Sequence, residues 1–378
     1  MENTVKRNHV RAVARAGPVL RALTGVALAL LGCAVLAGCD KPTKPKPTTK
    51  CLLYAGMTAS TEPWDGFIAV IDCETDSIID SVMPTSHFPG PGVIVSPDGK
   101  YFATLIVGPS EIFDAATRLP VATLLTAGMP LFLPDAGILL CLVHDSTLVY
   151  DMPGFTLRQS WSRIQGEAVR VPGRQQVAAL DRGGEGRAKL LFFDYVNYRA
   201  VDSVTITDAQ GIGFQIMSFT FSPDGTRLYA TGGQIGFGPG MVGYDLIARR
   251  TLFRQRLNGP YGHCRITPDG MEAWVTEPGH PLYNPPIEVQ AIFIFDAITG
   301  TLVDTISTRG IDPNPLRALS PQDIRFVPDG SKAYVNCGTS QKTGQPILVI
   351  STGTRRIERS LFGEYNNFAV MIDIAPEP

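Results

Sequence analysis

The chain has 378 residues, 44% hydrophobic and 18% charged, with 38 glycines and 30 prolines. It holds enough apolar material for a sizeable core and too little low-complexity bias for a disordered or collagen-like polymer. The formal net charge of −2 conceals a split, since residues 1–50 carry nine Lys/Arg against Glu2 and Asp40, a balance of +7, and the rest carries −9. A body of that sign repels phosphate backbones, so nucleic acid is not an expected partner.

At the N-terminus Lys6, Arg7, Arg11, Arg15 and Arg21 precede an apolar run from Ala22 to Leu36. The run is short for a bilayer span and follows the basic-then-apolar order of a secretory signal. The next residues, Leu36-Ala37-Gly38-Cys39, resemble the bacterial lipobox. That resemblance implies a signal peptide over 1–38 that is removed, and a lipid on Cys39 that anchors the exported protein to the periplasmic or outer-surface side of the cell envelope. Residues 39–50 alternate Pro with Lys and Thr, which favours an extended tether over a packed element. The folded domain is expected over 51–378.

Two marks then alternate along the chain. An apolar run ending in Asp appears at Val70-Ile71-Asp72, Ile112-Phe113-Asp114, Val149-Tyr150-Asp151, Phe192-Phe193-Asp194, Gly243-Tyr244-Asp245 and Ile294-Phe295-Asp296, with Ser in the seventh copy at Val349-Ile350-Ser351. A short polar side chain at such a corner satisfies the turn backbone locally. Between these corners stand Ser96-Pro97-Asp98-Gly99, Ser222-Pro223-Asp224-Gly225, Thr267-Pro268-Asp269-Gly270 and Val327-Pro328-Asp329-Gly330, with weaker copies at Leu133-Pro134-Asp135-Ala136 and Val171-Pro172-Gly173-Arg174. Pro presets the first turn angle, Asp bonds its own backbone and Gly takes the left-handed position, so each copy is a tight hairpin turn between strand-like runs.

Each unit therefore reads strand, Pro-Asp-Gly turn, strand, loop, strand, Asp corner, strand. Seven units over 51–378 give roughly 47 residues each, the size of a propeller blade. The first unit lacks its opening strand, because Cys51–Gly56 lines up with second strands such as Ala333–Gly338. The missing piece stands at the other end, where Phe368–Pro376 lines up with the first strands. The expected fold is an all-β, seven-bladed β-propeller of four-stranded antiparallel sheets, its ring closed by a C-terminal strand joining the N-terminal blade, which removes free sheet edges.

The stretch Gly90-Pro91-Gly92-Val93-Ile94-Val95-Ser96-Pro97-Asp98-Gly99-Lys100-Tyr101, with the Ile-Asp-x-x-Thr corner, resembles the YVTN-type repeat of YncE-like and surface-layer β-propellers. The resemblance spans nearly all of 51–378, with blades two and three departing from it. It implies an architecture more than a chemistry: relatives by fold include lactonase-like propellers and propeller subunits of some dehydrogenases. Fold alone does not confer function.

The turns and the Asp corners lie at one end of the blades, so loops joining second to third strands, and each blade to the next, lie at the other. The longest of these run from Thr276 to Gln290, with Glu277, His280 and Tyr283, and from Thr308 to Gln322, with Arg309 and Asp312. Trp64 and His87 fall in the corresponding connections of the first blade. Long loops of this kind are disproportionately functional, so this end is the expected ligand or partner face.

Counting back from each turn Pro, positions −2 and −4 of the first strands are mostly apolar, Arg170 being an exception, and should pack between sheets. Positions −3 and −5 face the other way and include Glu167, Ser218, Thr220, His263, Arg265, Asp323, Arg325 and Asp373, which first strands around an axis bring toward the central channel. Two readings stand. Arg265 and Arg325 grip a carboxylate while His263 with Glu167 or Asp323 moves a proton, as lactone opening requires. Alternatively the set is a ring of ion pairs around a hydrated pore.

No His-x-x-x-His or Cys-x-x-Cys occurs, so no metal site and no cofactor is expected; a Gly-x-Ser-x-Gly elbow is absent too. Cys51 begins the second strand of the first blade and Cys73 ends its third, which makes an intrablade disulfide one possible outcome. The sequence thus points to an envelope-anchored, monomeric propeller that binds a protein, glycan or small ligand. A lactonase-like hydrolase and an accessory subunit of an envelope redox complex are the alternatives.

Overall fold

A computed structural model of the chain describes residues 50–59, 66–85, 92–105, 108–124, 128–143, 146–162, 167–181, 189–207, 214–234, 238–257, 262–277, 290–311, 319–339, 346–362 and 367–377. Strands alternate with tight turns because the β-rich runs are punctuated by Pro, Asp and Gly at fixed offsets. In all four Pro-Asp-Gly copies the Gly is left-handed, and its N–H donates to the carbonyl three residues back, as in Gly99 to Ser96 at 2.9 Å. The Asp accepts the N–H two residues on. The Gly is required twice over: at Gly225 a Cβ would lie 2.2 Å from the Pro172 carbonyl oxygen of the preceding blade.

The strands form seven separate four-stranded antiparallel sheets. From the innermost strand outward, blade one is Asn367–Pro376, Cys51–Ala59, Gly66–Asp72 and Ser77–Val82, so the C-terminal strand supplies the piece missing at the N-terminus. Blade two is Gly92–Val95, Tyr101–Leu105, Ser110–Asp114 and Pro120–Leu124. Blade three is Met129–Leu133, Ile138–Leu142, Ser146–Asp151 and Thr156–Ser162. Blade four is Ala168–Arg170, Gln176–Asp181, Lys189–Asp194 and Arg199–Thr205, and blade five is Gln215–Phe221, Arg227–Gln234, Gly238–Asp245 and Arg250–Arg256. Blade six is Cys264–Ile266, Glu272–Glu277, Ala291–Asp296 and Leu302–Ser307, and blade seven is Leu319–Phe326, Lys332–Thr339, Ile347–Ser351 and Arg356–Leu361.

Seven apolar clusters fill the seven interfaces between successive blades, including the one that joins blade seven to blade one through Val327, Tyr334, Ile347 and Val349 against Leu53, Ala55, Met57 and Ile71. Second strands are buried on both faces, which is why Leu52, Leu53, Tyr54 and Ala55 run consecutively without a polar residue. Outermost strands are exposed and carry charges among Ile78, Ile79, Val121, Val201 and Val303.

A device the repeats did not announce recurs at every corner. The ladder between third and outermost strands slips by one residue just before the Asp or Ser of all seven blades. Four residues after that Asp or Ser, the chain takes a left-handed residue: Asp76, Arg118, Phe155, Tyr198, Arg249, Gly300 and Arg355. The bulge turns the outermost strand so that this residue reaches the preceding blade. Arg118 pairs with Asp80, Arg249 with Asp202 at 2.9 Å, and Arg355 with Glu272 at 2.6 Å. Phe155 meets Tyr101 edge-on at 5.1 Å, Tyr198 meets Trp161, and Phe253 fills the space where a Cβ on Gly300 would stand. At the closure Asp76 takes Lys332 at 3.1 Å and the Tyr334 hydroxyl at 2.5 Å, joining blade one to blade seven.

Cys51 and Cys73 lie opposite each other as the register suggests, the Cys73 N–H donating to the Cys51 carbonyl at 3.2 Å. Both are free thiols in this structure. They occupy a hydrogen-bonded pair of the ladder, where side chains stand farther apart than in the alternate pairs. Contact with the Cys51 thiol, together with burial, holds the Cys73 thiol protonated.

Candidate functional site

Residues at position −3 of the first strands are Ile94, Leu131, Val169, Thr220, Arg265, Arg325 and Asp373, and all seven are half-buried, as a lining of a central channel must be. The lining is divided. Blades two to four contribute an apolar arc, whereas blades five, six, seven and one contribute a polar one. The ladder slips in blades five and seven fall at Ile216/Ser218 and Pro321/Asp323. They lie beyond the fifth residue from the turn, so counting from the Pro keeps Ser218 and Asp323 on the channel side.

The polar arc is a chain of ion pairs across three blades. Arg265 Nη2 lies 3.0 Å from Asp323 Oδ1, Arg325 Nη1 lies 2.6 Å from Asp323 Oδ2, and Arg325 Nε donates to Asp373 Oδ1 at 2.9 Å. Further hydrogen bonds tie the same groups to the backbone. Asp373 Oδ2 accepts the Val95 N–H of blade two at 2.9 Å, and Asp323 Oδ1 accepts the Ile324 N–H at 2.9 Å. Arg265 and Arg325 each donate to the carbonyl of the preceding residue at 3.1 Å. Burial alone would raise the Asp323 carboxyl, but the two guanidinium groups bring it down to about 2. Burial likewise works against charge on Arg325, and Asp323 and Asp373 overcome it, raising its pKa.

His263 stands beside this chain with Nδ1 3.4 Å from Ser218 Oγ, and its N–H donates to Thr276 Oγ1 at 2.9 Å. Burial lowers its pKa, Arg265 and Arg325 add to that effect, and Asp323 opposes it, so the imidazole is neutral at pH 7. Glu167 lies half-buried in the same channel, its charge felt by Arg325. The structure thus brings together Glu167, His263, Arg265, Asp323, Arg325 and Asp373, but it engages both arginines with carboxylates. Arg170, the exception among apolar positions, turns toward blade three, where Asp135 accepts it and the Tyr195 hydroxyl, each at 2.8 Å.

At the loop face, Glu277 ends the second strand of blade six and is 1% exposed. Neither carboxylate oxygen has a hydrogen-bond partner among the described residues. Its neighbour Thr276 points to blade seven, donating to the Gln322 carbonyl at 2.8 Å, so Glu277 points toward blade five, on the same face as Val275 and Ala273. Desolvation pushes its pKa up to about 7. Arg309 is exposed just beyond the outermost strand of blade six. Trp64, His87, His280, Tyr283 and Asp312 lie outside the described residues, as does Cys39. The sequence picked out Glu277 by its loop but not its isolation, and it missed the corner residues. Counting four from each Asp or Ser would have found those.

The class these observations define is a seven-bladed β-propeller closed between its termini. No protein-family model matches the chain, and no curated protein matches it in sequence. Among solved structures, 1156 chains match, so the fold is widely shared. A hydrazine synthase chain of Kuenenia stuttgartiensis superposes with a TM-score of 0.56 at 18% identity, over 74% of this chain and 82% of that one. A functionally unknown protein from Desulfotomaculum acetoxidans gives 0.57 at 16%, over 86% and 99%. The dihydro-heme d1 dehydrogenase NirN, in complex with DHE, gives 0.57 at 16%, over 89% and 78%. Identities this low establish a shared fold and no shared chemistry.

Proposed function

We propose that this chain is a lipid-anchored envelope protein of the YVTN/YncE-like kind, whose propeller is a binding module that meets a protein, glycan or small ligand through its loop face. The observation that carries the reading is the continuous ion-pair chain Arg265–Asp323–Arg325–Asp373. Both guanidinium groups are already engaged by carboxylates, so they hold blades six, seven, one and two in register, and recognition falls to the face where the long connections gather. The same pairing counts against the lactonase-like alternative, which needs an arginine free to hold a substrate carboxylate. The redox-subunit alternative draws only on what the similar structures are named for and requires a partner subunit.

The Lys50 carbonyl accepts the Glu377 N–H at 2.9 Å, so the first and last described residues meet at the turn end of blade one.

The test is the full chain in detergent as bait against envelope extract, beside a variant with 278–289 shortened. The shortened variant loses a partner that the parent retains. Equal recovery by both removes the loop face from the reading, and an unmodified Cys39 in mass spectrometry of the mature N-terminus removes the anchor. Lactone hydrolysis by the parent that disappears in Arg325→Met, with the fold intact, would restore the enzymatic alternative.

A further inference from the structure

We infer that Glu277 is the anionic anchor of a binding site for an alkylammonium group, at the loop-face end of the seam between blades five and six. The inference rests on the loop face being the contact face, and it names the chemistry that face selects. A carboxylate with every lone pair buried and none used is rare in a native protein, because water has been removed and nothing replaces it. What such a group lacks is a set of donors, and an ammonium brings three of them together with the opposite charge.

The surroundings specify the rest of the ligand. Below Glu277 on the same face the seam is apolar, with Val275 and Ala273 from blade six and Met241 and Leu257 from blade five, which suits a hydrocarbon stem. Where the two blades touch at this level glycines face a threonine. The Thr231 hydroxyl donates to the Gly262 carbonyl at 2.6 Å, and two residues further along its strand, on the same face, blade five has Gly233. Gly262 is the register neighbour of Glu277, one step beyond the His263–Thr276 hydrogen bond. Gly262 itself packs closely on its own sheet, where a Cβ would meet the Thr276 carbonyl, so beside the carboxylate this strand presents backbone and no donor side chain.

No charge within the fold competes for Glu277 among the described residues. The titratable groups in the same seam are Tyr229 and Cys264, both kept neutral by burial. His263 faces the axis on the adjacent strand. Arg254 and Arg256 on the outermost strand of blade five stand on the Val242 side, toward blade four. Desolvation with nothing to offset it pushes Glu277 up to about 7, so the anchor is largely ionised at pH 8 and largely protonated at pH 6.

The experiment titrates the full chain in detergent with 1,5-diaminopentane and, separately, with N-acetyl-lysine amide, by calorimetry at pH 8 and pH 6. The expected result is binding at pH 8 that weakens about ten-fold at pH 6, following the ionised fraction of a group near 7. Binding of the diamine alone identifies a free amine as the source, and binding of the lysine amide identifies a lysine side chain. Glu277→Gln should lose at least ten-fold in affinity at pH 8 while its thermal unfolding is no earlier than the parent's, and Glu277→Asp should keep measurable binding. Absence of binding by both probes at pH 8, or equal binding by Glu277→Gln, overturns the inference. If the amines fail while shortening 278–289 still abolishes partner capture, this inference falls and the loop-face reading stands.

Discussion

Two buried carboxylates of this protein meet opposite fates. Asp323 at the channel axis is 7% exposed and Glu277 at the loop face is 1% exposed, so both have lost most of their water. Asp323 faces Arg265 and Arg325 and is brought down to about 2; Glu277 faces an apolar seam and is pushed up to about 7. Burial sets the cost of a charge, but partners decide whether the charge is kept. The axis is therefore built to stay ionised and hold blades together, whereas the seam between blades five and six holds a group whose charge is uncompensated until something arrives.

The sharpest way to break the contrast is to remove the axial acid. Asp323→Ala leaves the Arg265 guanidinium without a carboxylate and Arg325 with Asp373 alone, and should cost about 3–5 kcal/mol in denaturant unfolding. Asp373→Ala should cost less, because Arg325 keeps Asp323. The pH dependence has a definite sign. The folded-state value of Asp323 lies below its unfolded value of 3.8, so its contribution is full above pH 4 and is lost as pH falls toward 2. A denaturation midpoint that is flat over that window would show that the pairs do not stabilise the ring.

The second prediction runs the other way. The folded-state value of Glu277 lies above its unfolded value of 4.5, so its penalty is absent below pH 4.5, grows through pH 7 and is complete at pH 8. Glu277→Gln should therefore stabilise the chain by up to about 3 kcal/mol at pH 8 and change little at pH 4. A destabilised variant at pH 8 would mean the carboxylate has a partner after all.

Much of the ring was legible in the sequence because its signals are local and repeated. Pro376 closes the last strand as Pro97 closes another first strand, and that alignment was enough to send the C-terminus to blade one. The channel set was legible because the three ladder slips of the inner strands, in blades one, five and seven, fall beyond position −5. What the sequence could not say is which groups engage which. Arg325 meeting both Asp323 and Asp373 depends on how neighbouring blades are rotated about the axis, a quantity absent from any one repeat. The isolation of Glu277 depends on the bare backbone of Gly262 opposite Thr231, in a different blade, and no count along one strand reveals it. The Cys51–Cys73 juxtaposition was legible from the hairpin register.

The corner residues carry the same lesson to the outer surface. Asp76 has 2% of its side chain exposed and receives both Lys332 and Tyr334 across the closing interface. Asp76→Asn tolerates the left-handed backbone but removes the charge, leaving Lys332 partly buried without its counter-ion, and should cost about 2 kcal/mol. Local hydrogen exchange should rise first in Asn367–Pro376 and Cys51–Ala59, the strands this clasp secures. Exchange that rises uniformly around the ring would mean the closing interface is no weaker than the other six.

The smallest effect belongs to a corner of the same design with water around it. Arg249 and Asp202 form two hydrogen bonds at 2.9 and 3.3 Å, better geometry than the Asp76 pair, yet their side chains are 53% and 47% exposed. Solvent screens such a pair, and ordering two long side chains offsets most of the attraction, so a double-mutant cycle of Arg249→Ala with Asp202→Ala should give a coupling below about 1 kcal/mol that shrinks further in 1 M salt. A larger, salt-insensitive coupling would show that the bulged corner pre-orders Arg249 so well that the entropic cost is already met. The corners would then rank by backbone geometry and not by burial.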